Sequence, residues 1–191
     1  MKFQRVFINP GHGGNDSGAV GKNLKEADVN MKLALELYNR PWNNVLLSRW
    51  YGTGGLWKKN FASEALERIC RDANDWQADL FVSIHCNAED SGVARGWEIW
   101  TTPGQTSSDK LATFIYSGVQ NMFPYMKLRN DMSDGDVDKE SNFYVLKNTN
   151  MMAVLIETAF ISNSEDETLL GEPNFVKLMA DAIYKGISTY F

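Results

Sequence analysis

The fold class predicted from the sequence is a layered α/β domain. Three observations carry that prediction. Short apolar runs alternate with stretches of helical periodicity along the chain. No repeat or low-complexity tract interrupts them. Hydrophobic residues make up 43% of the 191, enough for a sizeable core. A chain of this length is expected to form one domain, residues 1–191.

Strands are predicted over residues 3–8, 45–47, 80–84, 97–100, 143–146 and 153–156, each a short run of β-branched, aromatic or other apolar side chains. A first helix is predicted over 26–38, where Pro41 blocks its extension. The second covers 62–76, with Leu66, Ile69, Cys70 and Ala73 on one face. The third covers 108–122, with Leu111, Phe114, Ile115, Val119 and Met122 in register. The last covers 174–189, with Asn174 as N-cap after Pro173. Ser164-x-x-Glu167 reads as a capping box for a short helix that Gly171 ends. Two long polar segments, 51–60 and 125–142, fit either cleft walls or solvated surface.

Composition excludes several function classes. The net charge of −5, with no Lys/Arg cluster, is unsuited to nucleic acid, whose binding rests on phosphate neutralisation. No apolar stretch approaches the roughly 20 residues of a membrane span, so no membrane insertion is expected. The N-terminal apolar run is too short and interrupted for the core of a signal peptide. That is the expectation for a phage-type release, or for a chain whose signal has been removed. Two cysteines, Cys70 and Cys86, do not make a disulfide framework. The glycines around Gly11-His12-Gly13-Gly14 lack the Lys-Ser/Thr of a phosphate-binding loop and the Gly-x-Gly-x-x-Gly spacing. Ser48, Ser83 and Ser162 have no Gly-x-Ser-x-Gly setting.

The chemistry concentrates at predicted strand ends, where open α/β sheets gather their ligands. The chain has two histidines: His12 follows the first strand through Pro10-Gly11, and His85 directly follows the strand over 80–84. Glu157 follows the strand over 153–156 in the same way. Glu26 opens the first helix, and the intervening loop is long enough to return it to His12. Two neutral imidazoles and a carboxylate are a standard set for catalytic zinc with one open position. A carboxylate that does not bind the metal is then needed to move the proton, and Glu157 fits that role. Asp16 stays open as a rival ligand, a hydrogen-bond partner of a histidine, or a turn residue. Cys86 neighbours His85 on a strand and so faces the other way, which assigns it to the core. Trp50 and Trp57 are candidates for stacking on sugar or peptide.

Ile8-Asn9-Pro10-Gly11-His12-Gly13-Gly14-Asn15-Asp16-Ser17-Gly18-Ala19, continued by Glu26 and Asn30, resembles the opening motif of zinc-dependent N-acetylmuramoyl-L-alanine amidases of the third amidase family. Ala73-Asn74 with residues 78–88, and Gly96-Trp97-Glu98-Ile99-Trp100, resemble its middle motifs. Phe143-Tyr144-Val145-Leu146 and residues 153–163 resemble its last two. The resemblance spans nearly the whole chain, in order.

This resemblance implies a three-layer αβα domain around a mixed, six-stranded sheet of the phosphorylase/hydrolase-like kind. It implies Zn2+ held by His12, Glu26 and His85, with Glu157 catalytic, and Asn87 and Ala159 on the substrate side. The expected reaction is hydrolysis of the muramoyl–L-alanine amide of peptidoglycan, with Glu157 taking a proton and returning it to the leaving amine. The family often has Ala at Cys86, Pro at Met152 and Gly at Ala159, and the Ala159 methyl is expected to narrow the cleft. A monomer acting on the cell wall is expected. Two other readings use the same residues: a related zinc carboxypeptidase or aminopeptidase, and a non-catalytic peptidoglycan-binding module. The second has no need of Glu157.

Overall fold

Strand β1 (Arg5–Pro10) buries Val6 through Pro10 without a break. A strand covered on both faces shows such a continuous run, whereas a half-exposed strand alternates. β3 (Leu80–Asn87) and β6 (Met152–Phe160) share that character, while β2 (Asn44–Leu47) alternates exposed and half-buried residues. The structure is a computed structural model, and it describes residues 5–49 and 62–191. Its six strands form one sheet in the order β2-β1-β3-β6-β4-β5, with β4 at Glu98–Thr101 and β5 at Lys139–Glu140. β2, β1, β3 and β6 are parallel, β4 runs antiparallel to β6, and β5 runs parallel to β4.

Alternation along the strands sorts side chains into two core layers. Val6, Ile8, Leu80, Val82, Ile84, Val154 and Ile156 pack with Leu33 of α1 (Glu26–Tyr38), Ile115 of α3 (Ser107–Met122), and Met179 and Ile183 of α6 (Pro173–Tyr190). Phe7, Phe81, Ala153 and Leu155 face Cys70 and Ala73 of α2 (Ala62–Asp75), with Val145 and Leu146 of α4 (Tyr144–Lys147). α5 (Ser164–Gly171) follows β6 directly. The result is the expected three-layer αβα domain around a mixed six-stranded sheet. Among the described residues, no helix is long and apolar enough to cross a membrane.

Several elements differ from the sequence expectation, each for a local reason. β3 and β6 continue past residues 84 and 156 because they stay paired, so His85 and Glu157 lie opposite each other within the ladder. Residues 143–146 form a helical turn rather than a strand. A four-residue apolar run does not discriminate between the two, and here the Thr149 hydroxyl closes the turn on Val145 O. The sixth strand is instead the polar pair Lys139–Glu140. α6 begins one residue earlier than expected, with Glu172 as N-cap and Pro173 in the first turn, where its missing N–H costs nothing. Asn163, not Ser164, caps α5, accepting from the N–H groups of Glu165 and Asp166. Leu66 of α2 is exposed rather than on the buried face.

α3 and α6 meet backbone to backbone. A methyl at Gly186 would lie 2.5 Å from Ile115 Cα and 2.7 Å from Phe114 O. Gly186→Ala gains about 1 kcal/mol of helix propensity but overpacks this crossing, which typically costs about 1–3 kcal/mol. Urea unfolding of the variant is expected to show a net loss of stability. An unfolding midpoint above wild type would contradict so close a crossing.

Candidate metal centre

Three elements converge on one carboxylate. β1 leads into the loop carrying His12, β3 carries His85, and α1 opens with Glu26, which is 4% exposed. Glu26 Oε1 lies 3.2 Å from His12 Nε2 and 3.0 Å from His85 Nδ1. One donor atom from each of the three residues lies within 4.8 Å of the others. Glu26 Oε1 also accepts from the Cys86 N–H at 3.1 Å and Asn30 Nδ2 at 3.3 Å, while Oε2 accepts from the Ala19 N–H at 2.8 Å.

The loop reaches this geometry at a conformational cost. His12 has φ 61, in the left-handed region that disfavours a residue with a Cβ by about 1–2 kcal/mol. Gly18, at φ 62, passes so close that a methyl there would lie 2.5 Å from Glu26 Oε2 and 2.7 Å from His12 Cδ2. Asp16 Oδ2 sits 2.8 Å from His12 Nδ1, and Asp16 Oδ1 accepts from the Gly18 N–H. Asp16 is therefore the hydrogen-bond partner behind His12, and it leaves Nε2 directed at the centre.

Electrostatics favour positive charge here. Hydrogen bonding to Glu26 raises the His12 imidazole to about 9 against the opposing effect of burial, and Asp16 adds to the rise. Burial pushes the Glu26 carboxyl up, but hydrogen bonds from His12, His85 and Ala19 outweigh it and hold the group well below the usual carboxylate range. Two imidazole nitrogens and a carboxylate oxygen, preassembled around a space that glycines keep clear, suit a nitrogen-binding divalent metal.

Glu157 faces His85 across β3–β6 and Glu98 across β4–β6. Its Oε2 is buried and has no hydrogen-bond partner. Burial pushes this carboxyl up to about 8, the Glu26 and Glu98 charges push the same way, and His12 opposes them. Glu98 has the opposite surroundings: 1% exposed, it pairs with Arg129 Nε at 2.5 Å and Lys139 Nζ at 2.8 Å. Asn87 Nδ2 donates to Glu98 Oε2 at 3.0 Å, so its side chain is fixed at the end of β3. Between His85 and Asn87 the register slips: two steps on β3 span three on β6. This bulge turns Ala159 into the core layer of Ile156, and it is fully buried. Cys86 is buried too, with Sγ 3.5 Å from Asn30 Oδ1, and burial foremost raises its thiol well above the ordinary value. Trp50 and Trp57 lie outside the described residues.

Residues 6–189 match the domain family described as N-acetylmuramoyl-L-alanine amidase. The chain belongs to this family. It is 35% identical to the N-acetylmuramoyl-L-alanine amidase LytC of Bacillus subtilis (strain 168), over 98% of this chain and 36% of that protein. It is 30% identical to the endolysin of Bacillus phage SPP1, over 96% of this chain and 64% of that one. The chain thus spans between about a third and two thirds of the length of these two relatives. Among solved structures, it is similar to the catalytic domain of CwlV, an N-acetylmuramoyl-L-alanine amidase from Bacillus (Paenibacillus) polymyxa var. colistinus. The TM-score is 0.81, with 28% identity and 98% of each chain covered. The family is the one described as N-acetylmuramoyl-L-alanine amidase, and the structure supplies a candidate metal site at His12, Glu26 and His85.

Sequence reasoning missed two supports of this candidate centre. One is the cation pair on Glu98. The other is Arg49, which donates to Pro10 O at 3.1 Å, Gly11 O at 3.1 Å and Ala27 O at 2.8 Å. One guanidinium thereby ties the His12 loop to the helix carrying Glu26. No motif marks Arg49, since all three acceptors are backbone carbonyls. Outer partners of metal ligands typically matter 10–100-fold in affinity. Arg49→Ala is expected to weaken metal binding by about that factor in a chelator competition, with the circular dichroism of the fold retained. Arg49→Lys should not restore it, because an ammonium lacks the fork. Wild-type affinity in both variants would show that the loop holds itself.

Proposed function

We propose that this chain hydrolyses the amide joining the muramic acid lactyl group to L-alanine in peptidoglycan, using Zn2+ at His12, Glu26 and His85, with Glu157 as the proton-transfer residue. The observation that carries this reading is the pairing of a preassembled two-imidazole, one-carboxylate donor set with the unpartnered Glu157 oxygen across the strand from His85. Zinc with an open position supplies Lewis acidity, polarising a carbonyl and acidifying water.

The protein's own groups do the rest. His12 and His85 present ring nitrogens from two different elements, and Glu26 closes the set with one oxygen while backbone N–H groups hold it in place. Glu157 accepts the proton of the attacking water and later delivers it to the departing L-alanine amine. Burial raises this carboxyl above the ordinary carboxylate range, the direction that brings a carboxyl towards proton transfer near neutral pH. Asn87, anchored on Glu98, is assigned to orient the substrate. Ala159 bears on the cleft only through the packing behind Glu157. All these groups come from one chain, which favours action as a monomer at the cell wall, after phage-type release or export.

A non-catalytic binder is disfavoured on energetic grounds. A buried carboxylate oxygen without a partner costs about 1–3 kcal/mol, and pure binding gives no return for that cost. Glu157→Gln is expected to keep one equivalent of zinc and lose about 10²–10⁴ in turnover. Undiminished lysis by this variant would remove Glu157 from the mechanism. His12→Ala and His85→Ala should instead lose zinc by elemental analysis, and stoichiometric zinc in both would break the ligand set. Mass spectrometry of digested muropeptides should show free L-alanine amines and no new reducing sugar ends. Release of a terminal amino acid would point to a carboxypeptidase or aminopeptidase instead.

A further inference from the structure

α1, which delivers Glu26, opens without a side-chain cap: Lys25 stands at the N-cap and makes no capping bond. The first N–H groups of a helix have no partner within it, and here the preceding chain supplies them. Glu26 N–H donates to Ala19 O at 2.9 Å, and Ala27 N–H donates to Ser17 O at 3.0 Å. Residues 19–26 fold as a small hairpin, with Val20 bridged to Lys25 and Gly21 N–H donating to Leu24 O at 2.9 Å. Ala19 N–H closes its base on Glu26 Oε2 at 2.8 Å. The point at which Glu26 enters the centre is therefore set by where this hairpin sits.

The hairpin is held from α5. Glu167 is 7% exposed, and its Oε1 accepts from the Asn23 N–H at 2.6 Å and the Leu24 N–H at 3.0 Å. Both donors lie at the hairpin tip, 144 and 143 residues away in sequence. The sequence expectation gave this carboxylate to a capping box on its own helix. Asn163 takes the cap instead, and Glu167 is left for the hairpin. An anion in the first turn of α5 is favoured by the helix dipole, and two converging N–H groups engage the charge.

The neighbouring residue provides the contrast. Asp166 is 5% exposed, and its Oδ2 also accepts from two backbone groups, the Gly96 N–H at 2.7 Å and the Phe160 N–H at 2.9 Å. These bonds tie α5 to the segment entering β4 and to the end of β6. Two adjacent carboxylates of like burial and like bonding thus serve different segments, and the hairpin held by Glu167 is the one that leads into a ligand. We propose that Glu167 is a positioning residue for the metal centre, fixing the 19–26 hairpin so that Glu26 meets His12 and His85. This rests on the reading of those three residues as the metal ligands. The device needs an acceptor oxygen at the reach of Glu167. Gln keeps that oxygen, Ala removes it, and Asp draws it back by one methylene. His85 is held independently, by the pairing of β3 with β6.

The test is zinc affinity of the whole chain by chelator competition, with urea unfolding run beside it. Glu167→Ala should bind zinc about tenfold or more weakly than wild type, the scale of loss when the supports of a ligand are removed. Glu167→Asp should also weaken binding, and it keeps the test decisive should Glu167→Ala fold poorly. Glu167→Gln should bind zinc as tightly as wild type. Asp166→Ala should lose stability yet keep wild-type zinc affinity. Wild-type affinity in both Glu167→Ala and Glu167→Asp would overturn the proposal, as would failure of Glu167→Gln to restore it. An equal loss in Asp166→Ala would reduce both effects to stability and likewise overturn it. His12→Ala separates the two readings. Zinc lost there but undiminished in the Glu167 variants overturns the positioning role alone, whereas zinc retained there overturns the ligand set and the proposal with it.

Discussion

The burial of Glu26 is the constraint on which the centre depends. Its carboxylate is taken out of water and surrounded by donors from β3, the His12 loop, the Ala19 backbone and α1 itself. A charge so placed is tolerable only when fully engaged. Each engaging group fixes one structural relation. The Cys86 N–H and the His85 ring set the end of β3 against α1, and the ladder from Pro10 to Ile84 sets β3 against β1. Asn30 reaches one turn back along α1 to both Glu26 and Gly11 O. The left-handed φ of His12 is the local strain that this network sustains.

A second constraint acts through the only antiparallel pairing in the described sheet. β4 against β6 puts Glu98 opposite Glu157. The two carboxyls have unequal surroundings. Arg129 and Lys139 neutralise Glu98, Lys139 also lying over the Trp100 ring at 5.1 Å, and Glu157 is left to burial. Glu98, paired with two cations, accepts from Asn87, while burial raises the Glu157 carboxyl.

Much of this was legible in the sequence, for physical reasons that differ by element. α1 was predicted with the bounds it has, and Pro41 blocks its extension. His12 and His85 were reachable from their place beside strands, Glu26 from the start of the first helix, and all three from the motif. What placement alone left open, the role of Asp16, needed a distance to resolve. β5 was invisible because a polar two-residue edge strand has no apolar signal. Residues 143–146 misled because a short apolar run fits either helix or strand. Arg49 and the Glu98 cation pair were missed because their partners are remote in sequence. The resemblance put Ala159 on the substrate side; the bulge that turns its methyl into the core layer of Ile156 leaves no mark in the sequence.

The family places this chain among cell-wall amidases, and the central structural claim is narrower: that His12, Glu26 and His85, and not the neighbouring Cys86, make the metal centre. X-ray absorption at the zinc edge of the loaded protein tests it most directly. The first shell should contain only nitrogen and oxygen at about 2.0–2.2 Å, with the multiple-scattering signature of two imidazoles. A sulfur neighbour at about 2.3 Å, or a shell without imidazole, would contradict it.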